Sequence, residues 1–169
     1  MKKVMLLVVG ILFAGSASSA SLTLSEDGVS GASQDVSEFN NNGALATGGG
    51  GTDGSETWAS AFGLTTTEDT MANVLWTFNP EANLQSATVG IGSDSVDDYI
   101  QTWNITGNFL FSFLFEADEY YWVDIFNAES NGLEYDVSVS AVPVPAALFL
   151  FAPALLGFFG LRRKAAVAA

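Results

Sequence analysis

The clearest candidates for metal chemistry in this 169-residue chain are three carboxylates, Asp94, Asp97 and Asp98, which lie within the segment DSVDD. Oxygen ligands of this kind suit Ca2+, especially at the weak sites of extracellular proteins. A solvated acidic loop has the same composition, and nearly every loop of this chain is acidic. The segment is therefore a candidate for weak Ca2+ binding, and the sequence predicts no other cofactor.

A second oxygen-rich motif, GGGGTD at 48–53, matches the G-G-x-G-x-D core of calcium-binding nonapeptide repeats. Those repeats bind ions only where copies stack above and below one another. Here one copy is present, and Ser55 stands where the repeat needs an aliphatic residue. We therefore interpret residues 48–53 as a flexible loop.

Two further patterns concern carbohydrate. Paired carboxylates hydrolyse glycosides when one is protonated, the other is ionised and about 5–10 Å separates them. No Lys, Arg or His lies among the acidic residues to tune one carboxyl against another, so we predict that the protein is not an enzyme. Tryptophans can stack on sugars, but all four lie in apolar, strand-like segments, which favours packing in a core or at a sheet edge: Trp58, Trp76, Trp103 and Trp122.

Composition excludes several classes of function. The chain has no His and no Cys, which removes disulfides, thiol nucleophiles and His-based triads. All 19 acidic residues lie from Glu26 to Asp136, whereas the five basic residues lie near the two ends, for a net charge of −14. A nucleic-acid partner is excluded, because binding phosphates requires Lys or Arg.

The middle of the chain has the period-two pattern of β-strands. Leu133, Tyr135, Val137 and Val139 alternate with polar residues, which predicts a half-buried strand. The segment NFLFSFLF at 108–115 is apolar on both faces, which predicts a central strand. With turn residues between such segments, the pattern predicts an all-β antiparallel sandwich or jelly roll at 21–142, less clearly over 21–54.

The N-terminus has the three parts of a secretory signal peptide. Lys2 and Lys3 precede an apolar run at 4–14, and the small residues GSASSA follow. We place cleavage by signal peptidase after Ala20, so that residues 1–20 form a signal helix that directs export.

The C-terminus, residues 143–169, has the pattern of a membrane anchor. The tripeptide Pro143, Val144, Pro145 precedes an apolar segment at about 146–161, which predicts a transmembrane helix. A basic cluster follows, consisting of Arg162, Arg163 and Lys164. The positive-inside rule places this cluster in the cytoplasm, and the signal peptide places the acidic domain in the periplasm.

This C-terminal pattern resembles the PEP-CTERM sorting signal of Gram-negative bacteria. In that family a Pro-Glu-Pro tripeptide, a hydrophobic helix and an Arg-rich cluster are recognised by a processing enzyme, an exosortase. This chain has Pro-Val-Pro in place of Pro-Glu-Pro. The resemblance implies removal of the helix and delivery to the cell envelope, outer surface or extracellular matrix of a bacterium that makes exopolysaccharide or biofilm. A permanent single-span anchor remains the alternative.

The segment from Asp97 onward is also similar, more loosely, to bacterial pre-peptidase C-terminal domains, which are small β-sandwiches with a Tyr-Tyr strand and a closing Y-x-V-x-V strand. Together these features predict an exported, non-enzymatic protein of the cell surface or matrix. The alternatives are a carbohydrate-binding or calcium-dependent adhesive β-sandwich module, and a plain membrane-anchored periplasmic protein.

Overall fold

The computed structural model describes residues 20–37, 43–54, 56–93 and 99–142, which form ten strands. A 3-10 turn, Glu81–Asn83, precedes the sixth strand. The strands are β1 (Leu22–Ser30), β2 (Asp35–Ser37), β3 (Leu45–Thr52), β4 (Trp58–Thr66), β5 (Thr70–Asn79), β6 (Leu84–Ser93), β7 (Tyr99–Ile105), β8 (Phe109–Phe115), β9 (Tyr121–Ser130) and β10 (Leu133–Ala141).

The strands form two five-stranded sheets that pack face to face. Sheet A has the order β1-β4-β9-β6-β7, and sheet B has the order β2-β3-β10-β5-β8. Every strand pair is antiparallel. The predicted all-β antiparallel sandwich is therefore confirmed. The signal helix and the transmembrane helix predicted to flank it lie outside the described residues.

The core lies between the two sheets and follows the predicted alternation. On β10 the side chains of Leu133, Tyr135, Val137 and Val139 are all buried. Tyr135 stacks on Trp58 of the opposite sheet with ring centroids 4.9 Å apart. Burying these large side chains removes the most apolar surface from water, and the alternation leaves one face of each strand outside the core.

The prediction of a loop at residues 48–53 was wrong, because Gly48 to Thr52 belong to strand β3. This strand pairs with β10 on one side and with β2 on the other. Close approaches of neighbouring atoms require glycine at three of these positions, Gly48, Gly49 and Gly50: a Cβ on Gly50 would lie 1.9 Å from the carbonyl oxygen of Ser33. Pairing on both sides has overridden the low strand propensity of glycine.

The prediction of a central strand at residues 108–115 was also wrong, because β8 is an edge strand of sheet B. Its inward Phe111 and Phe115 are buried, but its outward Leu110 and Leu114 are 57% and 49% exposed. The outward leucines lie opposite other exposed apolar residues of β5 rather than under a covering layer. An all-apolar run therefore predicts a strand, but it does not show whether that strand lies at the centre or at the edge of its sheet.

No helix that is long and apolar enough to cross a membrane occurs in the part of the chain that the structure describes.

Candidate functional site

The sorting residues Pro143, Val144, Pro145, Arg162, Arg163 and Lys164 and the carboxylates Asp94, Asp97 and Asp98 all lie outside the described residues. Within residues 20–37, 43–54, 56–93 and 99–142, no group of three or more His, Cys, Asp or Glu side chains is arranged to hold a metal ion.

The outer face of sheet A carries a row of large side chains on its central strand, β9. Because side chains alternate along a strand, Tyr121, Val123 and Ile125 point into the core, and Trp122, Asp124 and Phe126 point outward. The strands on either side carry small residues at the matching positions. Asp124 lies between Ala61 and Gly90, and Trp122 lies between Gly63 and Gly92.

Two tyrosines extend across these small residues. The ring of Tyr99, from β7, lies against Gly90, where an added Cβ would come within 2.5 Å of it. It stacks on Phe126 with ring centroids 4.9 Å apart. On the other side of β9, the hydroxyl of Tyr120 lies over Gly63 and donates a hydrogen bond to Asp27. The glycines therefore leave room for the two tyrosine side chains to cross this face.

A groove of about 310 Å³ runs between β1 and the large side chains of β9, and we call it the sheet-A groove. Its floor is formed by Ala59 to Ala61 on β4, and one wall by Asp27 to Ser30 on β1. The opposite wall is formed by Tyr99, Trp122, Asp124 and Phe126. A volume of this size is at the lower end of what small-molecule sites have, roughly 300–1,000 Å³.

Asp124 is the buried charged group of this groove, with only 2% of its surface exposed. Its Oδ2 accepts a hydrogen bond of 2.9 Å from the hydroxyl of Tyr99. Burial raises the pKa of Asp124 from 3.8 to about 7, and the negative charge of Asp27 adds to the rise, whereas the Tyr99 hydrogen bond lowers it. Near neutral pH the carboxyl is therefore divided between its charged and neutral forms.

Tyr120 is held in its neutral form. Burial, followed by the hydrogen bond to Asp27, raises the pKa of Tyr120 above its usual value of 10.0. Its hydroxyl therefore remains a donor to Asp27 at physiological pH. Its ring also contacts Trp122 edge to face, with centroids 5.4 Å apart, which fixes the indole at the side of the groove.

Three buried side-chain polar atoms have no hydrogen-bond partner among the described residues: Trp76 Nε1, Trp122 Nε1 and Asp124 Oδ1. Trp76 is enclosed in the core, and nothing in the structure explains its unpaired indole. Trp122 and Asp124 both line the sheet-A groove. Leaving such atoms unpaired costs about 1–3 kcal/mol each, and two of the three belong to residues of this groove.

Comparisons with known proteins give no family for this chain: no known protein family and no curated protein matches it. Some solved structures align with it at low identity. A periplasmic inhibitor of g-type lysozyme from Aeromonas hydrophila covers 59% of this chain and 87% of its own, at 11% identity and a TM-score of 0.38. A carbohydrate-binding module that recognises mannan covers 70% and 87%, at 8% identity and a TM-score of 0.40.

A β-(1,4)-mannanase from Podospora anserina covers 74% of this chain and 29% of its own, at 12% identity and a TM-score of 0.41. At these identities and TM-scores, the matches do not indicate what this chain binds. The properties of the sheet-A groove therefore have to be argued from its own residues.

Sequence reasoning considered Trp122 only as one of four tryptophans for which packing was favoured, whereas the structure places it on the outer face of sheet A, at the groove. Trp58 and Trp76 are buried in the core, as predicted, and Trp103 is half-buried between the sheets against Phe111. The groove residues Tyr99 and Asp124 were missed. The segment EYYWVDIF, which enters strand β9, contains the pattern that could have indicated the site. Its outward positions carry aromatic and acidic side chains instead of the small polar ones typical of a solvated face.

Proposed function

We propose that this chain is an exported, non-enzymatic surface protein whose β-sandwich binds carbohydrate in the sheet-A groove. One observation carries the proposal: Trp122 Nε1 and Asp124 Oδ1, a donor and an acceptor, are buried without partners beside the aromatic rings of the same groove.

The chemistry of the groove matches that of a sugar. A sugar ring presents apolar C–H faces, which pack on aromatic rings, and hydroxyl groups that both donate and accept hydrogen bonds. The half-buried rings of Tyr99, Trp122 and Phe126 provide the apolar surface. Ala59 and Ala61 keep the floor low, so that a ring has room to lie against the indole.

Export and sorting are supported by the two ends of the sequence. The signal peptide at 1–20 and the PEP-CTERM-like tail at 143–169 would bring the acidic domain to the periplasmic side and deliver it to the envelope or an extracellular matrix. A carbohydrate-binding domain delivered there would meet exopolysaccharide. The partners implied are signal peptidase, an exosortase and the matrix polymer.

A glycan array tests the carbohydrate proposal. The full-length protein is applied in a detergent without a sugar head group, with and without Ca2+, and each bound glycan is assayed for hydrolysis. We expect Ca2+-independent binding without cleavage, weakened at least tenfold in Trp122→Ala. The matched control is Leu110→Ala, which shortens an exposed apolar side chain on the opposite sheet and leaves binding unchanged.

Three results would contradict the proposal. Failure of the wild-type protein to bind any glycan would remove the carbohydrate function. Equal loss in Trp122→Ala and Leu110→Ala would place binding outside the sheet-A groove. Cleavage of a bound glycan that is abolished in Asp124→Asn would make the protein an enzyme.

A further inference from the structure

The charged side chains of the sheet-A groove are all acidic, because the chain has no Lys, Arg or His between residues 21 and 142. Two carboxyl groups, Asp27 and Asp124, line the groove. Asp27 has a donor in the Tyr120 hydroxyl, whereas Asp124 has a donor for Oδ2 only. A positive charge that pairs with ionised Asp124 therefore has to come from outside residues 21–142.

The aromatic rings around Asp124 favour the same kind of ligand. An ammonium group is attracted to the faces of Trp, Tyr and Phe by about 0.5–2 kcal/mol, and more strongly where water is excluded. Tyr99, Trp122 and Phe126 lie on the same wall as Asp124. A carboxyl group among aromatic rings is the arrangement that recognises a cationic amine.

The indole of Trp122 restricts which cationic ligands fit the sheet-A groove. Its unpaired Nε1 is a donor and needs an acceptor, which a protonated amine cannot provide. A ligand that satisfies both atoms carries an ammonium group and an oxygen that accepts a hydrogen bond. An amino sugar has this combination, whereas a lysine side chain or a polyamine has no oxygen.

We infer that the sheet-A groove selects a glycan that carries free amino groups, with the sugar's ammonium donating to Asp124 Oδ1 and Trp122 Nε1 donating to an oxygen of the same sugar. This inference rests on the proposed carbohydrate function and specifies its ligand class. Asp124 is buried, and the Tyr99 side chain whose hydroxyl contacts it comes from the start of edge strand β7. Binding at Asp124 Oδ1 therefore includes movement of the side chains that bury it.

The test compares two oligosaccharides that differ only in the amine. A glucosamine oligomer with free amino groups and its N-acetylated counterpart are titrated into the full-length protein near neutral pH and physiological salt. We expect the free-amine oligomer to bind at least tenfold more tightly. Asp124→Asn, which keeps the side chain's shape, should remove this preference and leave the affinity for the N-acetylated oligomer within about threefold.

Two controls separate the groove from the general acidity of the domain. Asp136→Asn removes one exposed negative charge from the outer face of sheet B and should keep the preference. Spermine should not displace the glucosamine oligomer at equal charge concentration. An equal loss of preference in Asp136→Asn, or full displacement by spermine, would show diffuse attraction of polycations and overturn the inference.

Failure of the inference and failure of the proposed function give different results. If neutral glycans bind through Trp122 but the N-acetylated oligomer binds as tightly as the free-amine oligomer, the amino-sugar inference is wrong and carbohydrate binding stands. If no glycan binds, both are wrong.

Discussion

The hydroxyl of Tyr99 donates a hydrogen bond of 2.9 Å to Oδ2 of Asp124 and thereby joins the edge strand β7 to the central strand β9 across β6. The contact is possible because Gly90 on β6 has no side chain in the way. It covers a carboxyl group whose other oxygen has no partner among the described residues. The electrostatics of the groove and its access both depend on this pair.

The raised pKa of Asp124 makes stability depend on pH. Between its usual value of 3.8 and about 7, the folded state keeps a proton that the unfolded state has lost. The contribution of Asp124 to the free energy of unfolding therefore falls as pH rises through this window, by on the order of 4 kcal/mol, and is constant above it. Chemical denaturation across this range should show that wild type loses stability relative to Asp124→Asn as pH rises. Parallel curves for the two proteins would contradict this.

The Tyr99 hydrogen bond lowers the pKa of Asp124, so its removal should raise that pKa further. We expect Tyr99→Phe to shift the titration of the Asp124 carboxyl carbon upward by roughly one unit, as followed by carbon NMR. Tyr121→Phe, which alters an inward-facing tyrosine of β9, should leave it unchanged. A downward shift in Tyr99→Phe would mean that the ring's coverage, not its hydroxyl, sets the pKa.

The fold was predictable from the sequence where a strand has one solvent-exposed face and one buried face. The alternation of Leu133, Tyr135 and Val137 predicted the inner face of β10, and the strand follows a turn in which Gly132 has a positive φ of 84°. Composition did not predict strand β3 or the edge position of β8, because contacts between strands distant in sequence determine both. The glycines of β3 indicate a loop until the neighbouring Ser33 and Tyr135 are known, and the all-apolar β8 does not reveal whether another strand follows it.

The candidate site was less predictable than the fold. Asp124 and Tyr99 are 25 positions apart and meet only because β7 and β9 both pair with β6. A sequence shows which side chains point outward from a strand, but not which strands are neighbours. From the sequence, Trp122 was one of four equivalent tryptophans. The structure was needed to show that Trp122 lines the groove and that the other three pack in or against the core.

The close packing of the β3 glycines predicts an asymmetric response to added methyl groups. Gly50→Ala would place its Cβ against the Ser33 carbonyl group, which is backbone and cannot move alone. We expect a loss of about 1–3 kcal/mol or more in thermal or urea denaturation. At Gly43 nothing lies within 4 Å of an added Cβ, so Gly43→Ala should change stability by less than about 0.5 kcal/mol. Equal stability of the two variants would refute the packing argument.

The sorting proposal predicts a defined mature protein. In a host that has an exosortase, the surface form should lack residues 146–169 and should resist trypsin, because no Lys or Arg lies between residues 21 and 142. Replacing Arg162, Arg163 and Lys164 with Gln should disturb this processing, whereas Asp94→Ala should not. Intact mass of the surface fraction provides the measurement. A mass that includes Ala169 in all of the protein would favour a permanent membrane anchor.

The most direct test of carbohydrate binding in the sheet-A groove is the indole region of a nitrogen–proton NMR spectrum. The full-length protein is titrated with a glycan that binds on the array, and the Trp122 signal is assigned by its loss in Trp122→Phe. We predict that this indole signal shifts with added glycan, while those of buried Trp58 and Trp76 stay fixed. A glycan that binds and leaves the Trp122 signal unmoved would contradict the account.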